Sequence, residues 1–273
     1  MAEDEFLSDA DFGRYRTLIY NESGIHFTST NRSILESRLK ERLRDKGLYS
    51  PQDYFSMITK NGEELKNFLD SITTNLTRFF RNNAHFDALE KYVVPELFRI
   101  KKGTSNANVK IWSAGCSSGE EPYSIAMLMA EFLPPSWKFE IVASDISLKS
   151  LMEGKKGFYS DPRIVGVPDS YVKKYFHRVE GGYQVKPEIM SKIRFDYHNL
   201  KHDSGLRNLD IVFCRNVIIY FDEPAQVAVM KRFWEVMAPK SFLFIGHSES
   251  LFGMDTQFEF VKTSWATFYR KFI

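Results

Sequence analysis

A glycine-rich turn, AGCSSGEE at residues 114–121, carries the residue types most suited to holding a ligand. An apolar segment runs into Gly115 and a helical segment follows, which is the arrangement at which a doubly wound α/β sheet binds a nucleotide-like molecule. The next apolar segment ends in Asp145, where a carboxylate can grip a ribose diol. The turn therefore indicates a cofactor site. The alternative is that Gly115 and Gly119 only form a tight turn and the two glutamates only cap the helix.

The chemical character of the turn restricts the cofactor. It lacks the G-x-G-x-x-G pattern of dinucleotide-binding turns, and its helix opens with Glu120 and Glu121. Carboxylates there complement the helix dipole but would repel a pyrophosphate. A cofactor without phosphate is therefore favoured, and S-adenosylmethionine, which carries a sulfonium and an ammonium group, meets this condition.

Other reactive side chains give weaker signals. Cys116 and Cys214 lie among small or apolar neighbours, with no histidine near them in sequence, so we expect packing rather than nucleophilic roles. Two cysteines are too few for a disulfide framework, which favours a reducing compartment. The six histidines show no metal-ligand spacing, and we expect no metal.

The elements that must position the turn alternate from residue 109 onward. Short apolar segments separated by helical ones are typical of a parallel sheet covered by helices. Two final strands without an intervening helix are expected to be antiparallel. The predicted strands are residues 109–113, 139–144, 209–214, 242–246, 258–261 and 266–272, and the predicted helices are 121–133, 148–155 and 225–238, the last burying Val227, Met230, Trp234 and Met237.

One segment interrupts this alternation. Residues 175–179 and 183–185 flank Glu180, Gly181 and Gly182, which is a hairpin pattern. Residues 192–197 could add a third antiparallel strand. We therefore predict an inserted β-subdomain at about residues 171–199.

The first hundred residues have a helical pattern. Leucines recur every fourth residue in a helix that Thr30 or Asn31 can cap and Gly47 ends, and Ser50 with the following proline starts the next one. The polar stretch KKGTSNAN follows at residues 101–108. We predict an all-helical N-terminal domain with its linker over residues 1–100 and an α/β domain over residues 101–273.

Charge and hydropathy argue against several classes of protein. Lysine and arginine number 37 against 35 acidic residues, so no overall positive field favours nucleic acid or an anionic membrane. No apolar run approaches the roughly 20 residues that span a bilayer. The acidic start of the chain lacks the features of an export signal. We expect a cytoplasmic protein without membrane insertion.

Several segments, taken in order, resemble the CheR-type chemotaxis receptor methyltransferases. The resemblance covers nearly the whole chain and implies a small helical domain followed by an S-adenosylmethionine-binding α/β domain. It also implies a protein-glutamate O-methyltransferase that acts on chemoreceptor cytoplasmic domains in adaptation or a related signalling pathway. The segments are TTNLTRFFRN at residues 73–82, IWSAGCSSGEEPYSIAM at 111–127, ASDIS at 143–147, NL at 199–200, DIVFCRNVIIYFD at 210–222 and GHSES at 246–250.

The resemblance also implies the site residues. From the residues alone, the polar cluster before Phe79 could be a helix end packing on the next domain, Arg215 could cap the sheet, and Tyr220 could pack in the core. The implied catalytic residues are Arg81 and Tyr220, and the implied cofactor-binding residues are Asn75, Thr77, Arg81, Gly115, Glu121, Asp145, Asn199, Leu200, Arg215 and Asn216.

The implied reaction needs no strong base. A glutamate side chain in water has a pKa of about 4.3 and is ionised at neutral pH. The enzyme then has to align a carboxylate oxygen with the sulfonium methyl group, giving a glutamate methyl ester and S-adenosylhomocysteine. Tyr220 is expected to orient that carboxylate, with Arg81 near the reacting centre.

Receptor contacts are expected on the helix at residues 32–46. Its basic residues form two rows that could dock on an acidic receptor helix, although such a run can equally be a solvated face. The short hairpin turn disfavours tethering to a receptor's C-terminal peptide by strand addition. We expect a monomer whose receptor-contact residues are Arg38, Lys40, Arg42 and Arg44.

Two other function classes remain open at this point. One is a methyltransferase acting on RNA or a small molecule, and the near-neutral charge opposes RNA. The other is a non-enzymatic sensor that uses the S-adenosylmethionine pocket as a ligand switch or the helical domain as an adaptor. Such a sensor would not need an acceptor site with Arg81 and Tyr220.

Overall fold

The computed structural model describes residues 6–73, 75–103 and 107–273. Three parts of the chain that the sequence analysis used lie outside the described residues. They are residues 1–5 of the acidic N-terminus, Thr74 in the segment TTNLTRFFRN, and residues 104–106 of the polar stretch that follows residue 100.

The N-terminal bundle is built from capped amphipathic helices. Gly47 ends one of them with a φ of 64°, and the Ser50 hydroxyl accepts the Asp53 N–H at the start of the next, as the sequence predicted. A 3₁₀ turn, Ser29–Asn31, replaces a simple cap before the second helix. The helices of the bundle are α1 Asp9–Ser23, α2 Arg32–Lys46, α3 Pro51–Ile58 and α4 Gly62–Ile72.

The next helical stretch belongs to a different core. It consists of α5 Asn83–Ala88, a π-helical turn Leu89–Val93 and α6 Val94–Ile100. Its apolar side chains pack with those of the sheet, whereas the bundle core ends at Ile72. The packing therefore does not divide at residue 100, where the sequence placed the boundary. Helical periodicity shows which face of a helix is buried but not which core receives it.

A mostly parallel sheet forms the centre of the α/β domain, as predicted. The strands are β1 Asn108–Ala114, β2 Lys138–Asp145, β6 Ile193–Tyr197, β7 Leu209–Cys214, β8 Met237–Ile245, β9 Glu259–Lys262 and β10 Thr267–Lys271, with α7 Glu120–Phe132, α8 Leu148–Lys156 and α12 Glu223–Val236 between them. In the described residues the strand order is β6-β2-β1-β7-β8-β10-β9, and only the pairs that β10 makes with β8 and β9 are antiparallel.

The inserted antiparallel sheet is present, but its third strand is not the predicted one. Residues 192–197 were expected to complete it, yet β6 pairs in parallel with β2 at the edge of the large sheet. The third strand lies earlier, so the insertion at about residues 171–199 was misplaced at both ends. A three-residue strand gives no periodic signal, and alternation does not identify a strand's partner. The small sheet has the order β3-β5-β4, with β3 Phe158–Ser160, β4 Phe176–Val179 and β5 Gly182–Val185, and its short helices are α9 Asp161–Ile164, α10 Asp169–Tyr175 and α11 Pro187–Met190.

The helix α12 lies two residues earlier than predicted, and its buried face differs from the predicted one. Met237 takes an extended conformation and begins β8 instead of ending the helix. Val227 and Trp234 are only half-buried. The buried side chains of α12 are Val229, Met230, Phe233 and Val236.

Among the residues that the structure describes, no helix has the length and apolar character to cross a membrane.

Candidate active site

A cavity opens where the carboxyl ends of β1, β2 and β7 face the N-terminal bundle. The bundle closes one side of it with the segment from Ser23 to Phe27. The structure brings together at this cavity every catalytic and cofactor-binding residue that the sequence predicted. These residues are Asn75, Thr77, Arg81, Gly115, Glu121, Asp145, Asn199, Leu200, Arg215, Asn216 and Tyr220.

The glycine-rich turn follows β1 and contacts Asp145 directly. Gly115 has a φ of 83°, and a Cβ there would lie 2.3 Å from Cγ2 of Val217. Only glycine therefore fits without displacing the neighbouring loop. The Ser117 N–H donates to Oδ2 of Asp145 at 2.8 Å, and the Ser117 hydroxyl donates to the Asn75 carbonyl at 3.2 Å. These bonds join three of the predicted segments.

Asp145 ends β2 as a buried carboxylate, 8% exposed. Its Oδ1 accepts the Ser147 N–H at 2.8 Å. Burial raises its pKa, and the backbone N–H donors, first that of Ser147, oppose the rise. Each carboxylate oxygen accepts one of these bonds and keeps further acceptor capacity. Asp145 is thus rigidly held and able to accept hydrogen bonds from a diol.

Glu121 faces the cavity beside Arg215. Its Oε1 accepts the Ser113 hydroxyl at 2.7 Å, and its Oε2 lies 3.4 Å from Nη1 of Arg215. Desolvation raises the pKa of Glu121, and Arg215 is the strongest of the groups that oppose this. Glu120 points elsewhere, because Arg163 and Ser118 bind its carboxylate. The choice of Glu121 over Glu120 as the cavity glutamate agrees with this geometry.

Several buried polar atoms in the cavity walls have no hydrogen-bond partner among the described residues. They are Nε of Arg215, Oδ1 of Asn216 and Nε2 of His198. An unpaired buried polar atom costs free energy, and such atoms are uncommon in folded proteins. A polar ligand in the cavity would supply partners, so the donor and acceptor set fits a cofactor with hydroxyl and amino groups.

Tyr220 and Arg81 also line the cavity. Tyr220 ends a 3₁₀ turn, Ile218–Tyr220, and its carbonyl accepts the His26 N–H of the bundle at 2.8 Å. Its half-buried side chain lines the cavity instead of packing in the core. Nη1 of Arg81 donates to the Leu76 carbonyl at 2.9 Å.

Asn199 has a structural contact that the sequence did not reveal. Its Nδ2 donates to the Glu22 carbonyl at 2.6 Å, and its Oδ1 accepts the Lys201 N–H at 3.0 Å. The Asn199 amide therefore ties the end of β6 to the end of α1. Leu200 beside it is buried and offers an apolar wall.

Two histidines at the cavity were missed by sequence reasoning. His198 immediately precedes the predicted pair Asn199 and Leu200, so its position was a usable signal. His26 comes from the bundle and reaches the cavity only through tertiary packing.

The thiols of Cys116 and Cys214 are buried, which raises the pKa of both well above its usual value. Their environment is that of inert packing residues.

The predicted receptor-contact residues of α2 have unequal surroundings. Arg42 is drawn inward, where it binds the buried carboxylate of Glu64. Arg38 lies 3.2 Å from Glu41 on the surface, and the Lys40 ammonium lies 4.7 Å from the Phe6 ring centroid. A second, polar cavity includes Arg38 and Arg42 in its lining and shares residues 75–77 with the main cavity. Arg44 is exposed.

Comparison with known proteins identifies the family. Residues 75–267 match the family of the CheR methyltransferase, SAM binding domain, and residues 10–73 match that of the CheR methyltransferase, all-alpha domain. The chain is 35% identical over 255 residues to the chemotaxis protein methyltransferase of Borreliella burgdorferi, covering 90% of both chains. It is 34% identical over 273 residues to the chemotaxis protein methyltransferase 2 of Vibrio cholerae, covering 97% of this chain and 94% of that one. It is 35% identical over 269 residues to the chemotaxis protein methyltransferase of Escherichia coli, covering 94% of this chain and 90% of that one. With both of its domains matched and its relatives aligned over most of their length, the chain belongs to the CheR methyltransferase family.

Proposed function

We propose that this protein transfers the methyl group of S-adenosylmethionine to glutamate side chains of chemoreceptor cytoplasmic domains, giving glutamate methyl esters and S-adenosylhomocysteine. The observation that carries the proposal is the single cavity that Glu121, Asp145, Arg215 and Tyr220 all line. The two carboxylates can bind the ammonium group and the ribose of the cofactor, and the Tyr220 hydroxyl can bind the carboxylate that accepts the methyl group. The names of the curated relatives supply the chemotactic setting.

Asp145 and Glu121 have the most direct cofactor roles in this proposal. Asp145 accepts hydrogen bonds from the ribose hydroxyls, and Glu121 binds the ammonium while Arg215 keeps its carboxylate oriented. Backbone and side-chain groups complete the site around the adenine and methionine parts. These further groups belong to Asn75, Thr77, Arg81, Gly115, Asn199, Leu200 and Asn216.

When bound, S-adenosylmethionine supplies an electrophilic methyl group on a sulfonium. The protein's part is to hold the acceptor carboxylate in line with that group and to exclude water. Tyr220 does this through a hydroxyl, which positions an oxygen without neutralising it. A full ion pair with Arg81 would lower the nucleophilicity of the carboxylate, so Arg81 has the less direct role. The acceptor is already ionised at neutral pH, so no general base is required.

Receptor docking in the proposal uses the exposed part of α2. Arg38, Lys40 and Arg44 lie at the surface or near it, whereas Arg42 also holds the bundle together through Glu64. The partner is an acidic receptor helix, which places the reaction in the cytoplasm, and the protein acts as a monomer. Strand addition by a receptor tail has little support, because β4 and β5 are joined by only Glu180 and Gly181.

A methylation assay tests the proposal. The purified protein is incubated with methyl-labelled S-adenosylmethionine and a chemoreceptor cytoplasmic fragment. Label that enters the fragment and is released by mild alkali is the expected result, because methyl esters hydrolyse in base. Cofactor binding without transfer would favour the sensor function, and label entering RNA or a small molecule would favour another methyltransferase class.

A further inference from the structure

A carboxylate that the proposed reaction does not use holds the loop that carries Tyr220 and two of the proposed cofactor-binding residues. This loop, residues 215–220, follows β7 and includes Arg215, Asn216 and Tyr220. Its backbone N–H groups point at Glu249, which lies after β8 in the shared segment GHSES. The segment is one of those that carry the family resemblance, but the resemblance implied no role for Glu249.

Both oxygens of Glu249 are engaged. Oε2 accepts the Asn216 N–H at 2.9 Å and also the Gly246 N–H. Oε1 accepts the Val217 N–H at 3.0 Å and the Ile219 N–H at 3.3 Å. One side chain thus binds three N–H groups of the loop and one of its own strand end. Hydrogen bonds to an ionised acceptor are roughly twice as strong as neutral ones.

The loop needs such an anchor at its start. Asn216 has a φ of 59°, in the left-handed region that costs free energy for residues other than glycine. Gly246 leaves just enough room for the arrangement, because a Cβ there would lie 2.6 Å from Oε2 of Glu249 and 2.8 Å from the Asn216 nitrogen. Gln226 also holds the later part of the loop, donating to the Ile218 carbonyl and to the Phe221 carbonyl just after the loop, both at 2.9 Å.

We propose that Glu249 is a positioning residue for methyl transfer, which fixes the loop so that the Tyr220 side chain stands at the acceptor position. The inference rests on the proposed function and deepens it. The hydrogen bonds of the Glu249 side chain all go to backbone N–H groups. Its loss should therefore reduce the rate of transfer from the bound state more than it reduces the affinity for the cofactor.

Glu249→Gln tests this in the full-length protein. The amide keeps the size of the side chain but turns one acceptor oxygen into a donor, so one pair of N–H groups loses its partner. We expect kcat to fall roughly tenfold to a hundredfold, the cost of a small misplacement of a reacting group. The dissociation constant for S-adenosylhomocysteine, measured by calorimetry, should change less than kcat does.

Two further variants keep the test specific. Gly246→Ala leaves every charge in place but crowds Glu249 and Asn216, and should lower kcat in the same way. Asp255→Asn removes an exposed carboxylate a few residues away and should leave kcat unchanged. Melting temperatures are recorded for each variant, and kcat is measured well below the lowest of them.

The outcomes separate the two proposals. If the wild-type protein transfers no label, the proposed function fails and the inference fails with it. If the wild type transfers label and Glu249→Gln keeps its kcat within about twofold while melting earlier, Glu249 only stabilises the fold. A fall in kcat for both Glu249→Gln and Gly246→Ala, with Asp255→Asn unaffected, supports the positioning role.

Discussion

At the residue scale, two adjacent glutamates at the start of α7 have different surroundings and hence different expected effects. Glu121 lines the cavity, whereas Glu120 is bound by Arg163. Glu121→Gln should weaken S-adenosylmethionine binding by about 1.5–3 kcal/mol, or roughly tenfold to a hundredfold, because a charged hydrogen-bond partner of the ammonium is lost. Calorimetric titration measures this. The comparison variant is Glu120→Gln, which acts on the turn through the pair with Arg163 and the bond to Ser118 and should lower the affinity less than Glu121→Gln does. An equal loss of affinity in both variants would contradict the assignment.

Variants of Asp145 and Tyr220 should distinguish cofactor binding from methyl transfer. Asp145→Ala removes the carboxylate expected at the ribose and should weaken cofactor affinity. Tyr220→Phe keeps the ring, loses only the hydroxyl, and should mainly lower kcat at saturating cofactor. Comparing kcat and the cofactor dissociation constant for the two variants provides the test. The division of roles would be wrong if both variants lost binding equally.

His85 gives a prediction on pH. Its ring packs against Phe244, and burial, aided by the charge of Arg215, lowers the pKa of His85 from 6.5 to about 3. Between these values the unfolded chain holds a proton that the folded chain does not, so the free energy of unfolding falls as the pH falls from 6.5 towards 3. His85→Phe keeps a ring but cannot titrate. It should reduce the slope of stability against pH by up to about 1.4 kcal/mol per pH unit.

Urea unfolding of both proteins at about pH 7, 6 and 5 measures that slope, in a range where most carboxylates have not yet titrated. Parallel curves for His85→Phe and the wild type would show that His85 is not held neutral by the fold.

At the scale of elements, the inserted sheet is fastened to the glycine-rich turn. Tyr159 in β3 donates to the Ser118 carbonyl at 2.7 Å, and Nη2 of Arg163 in α9 donates to the Ser118 hydroxyl at 2.6 Å. Arg163 also pairs with Glu120, which is 1% exposed. The insertion therefore holds the turn at Ser118, next to Ser117, whose N–H binds Asp145.

Arg163→Gln should loosen this turn. Removing one partner of a buried ion pair leaves an uncompensated charge, so we expect a lower melting temperature and a weaker affinity for S-adenosylmethionine. Arg178→Gln breaks an exposed pair with Asp161 in the same insertion and should change neither quantity appreciably. Thermal unfolding with and without cofactor measures both effects. An Arg163→Gln protein with wild-type affinity would show that the insertion does not support the site.

The same elements show what the sequence could and could not predict. Strand β7 was predicted at its observed bounds, because a fully buried strand is a continuous apolar run between polar residues. The partner of β6 and the extent of the insertion were missed, since β3 has only three residues and pairing is decided by tertiary contacts. The cavity residues were accessible through motif order and resemblance. His26 was not, because nothing in its sequence neighbourhood indicates that the bundle folds over the cavity.

At the scale of the whole molecule, the cavity is completed by both cores. The bundle reaches it through contacts at the end of α1, where Lys201 donates to the Asn21 carbonyl at 2.6 Å and Ile25 forms a β-bridge with Phe221. Tyr220 and Asn199 lie in the same interface, through their bonds to His26 and Glu22. The proposed acceptor site therefore requires the two parts of the chain to be packed together, with α2 carrying its basic residues on the bundle.

The most direct measurement is to locate the transferred methyl group on a receptor fragment by tandem mass spectrometry. We predict alkali-labile methyl esters on glutamates of the acidic receptor helices, formed by the wild-type protein and strongly reduced with Tyr220→Phe. A receptor fragment that stays unmodified while the protein binds S-adenosylmethionine, or a methyl group found on another residue type, would contradict the proposed function.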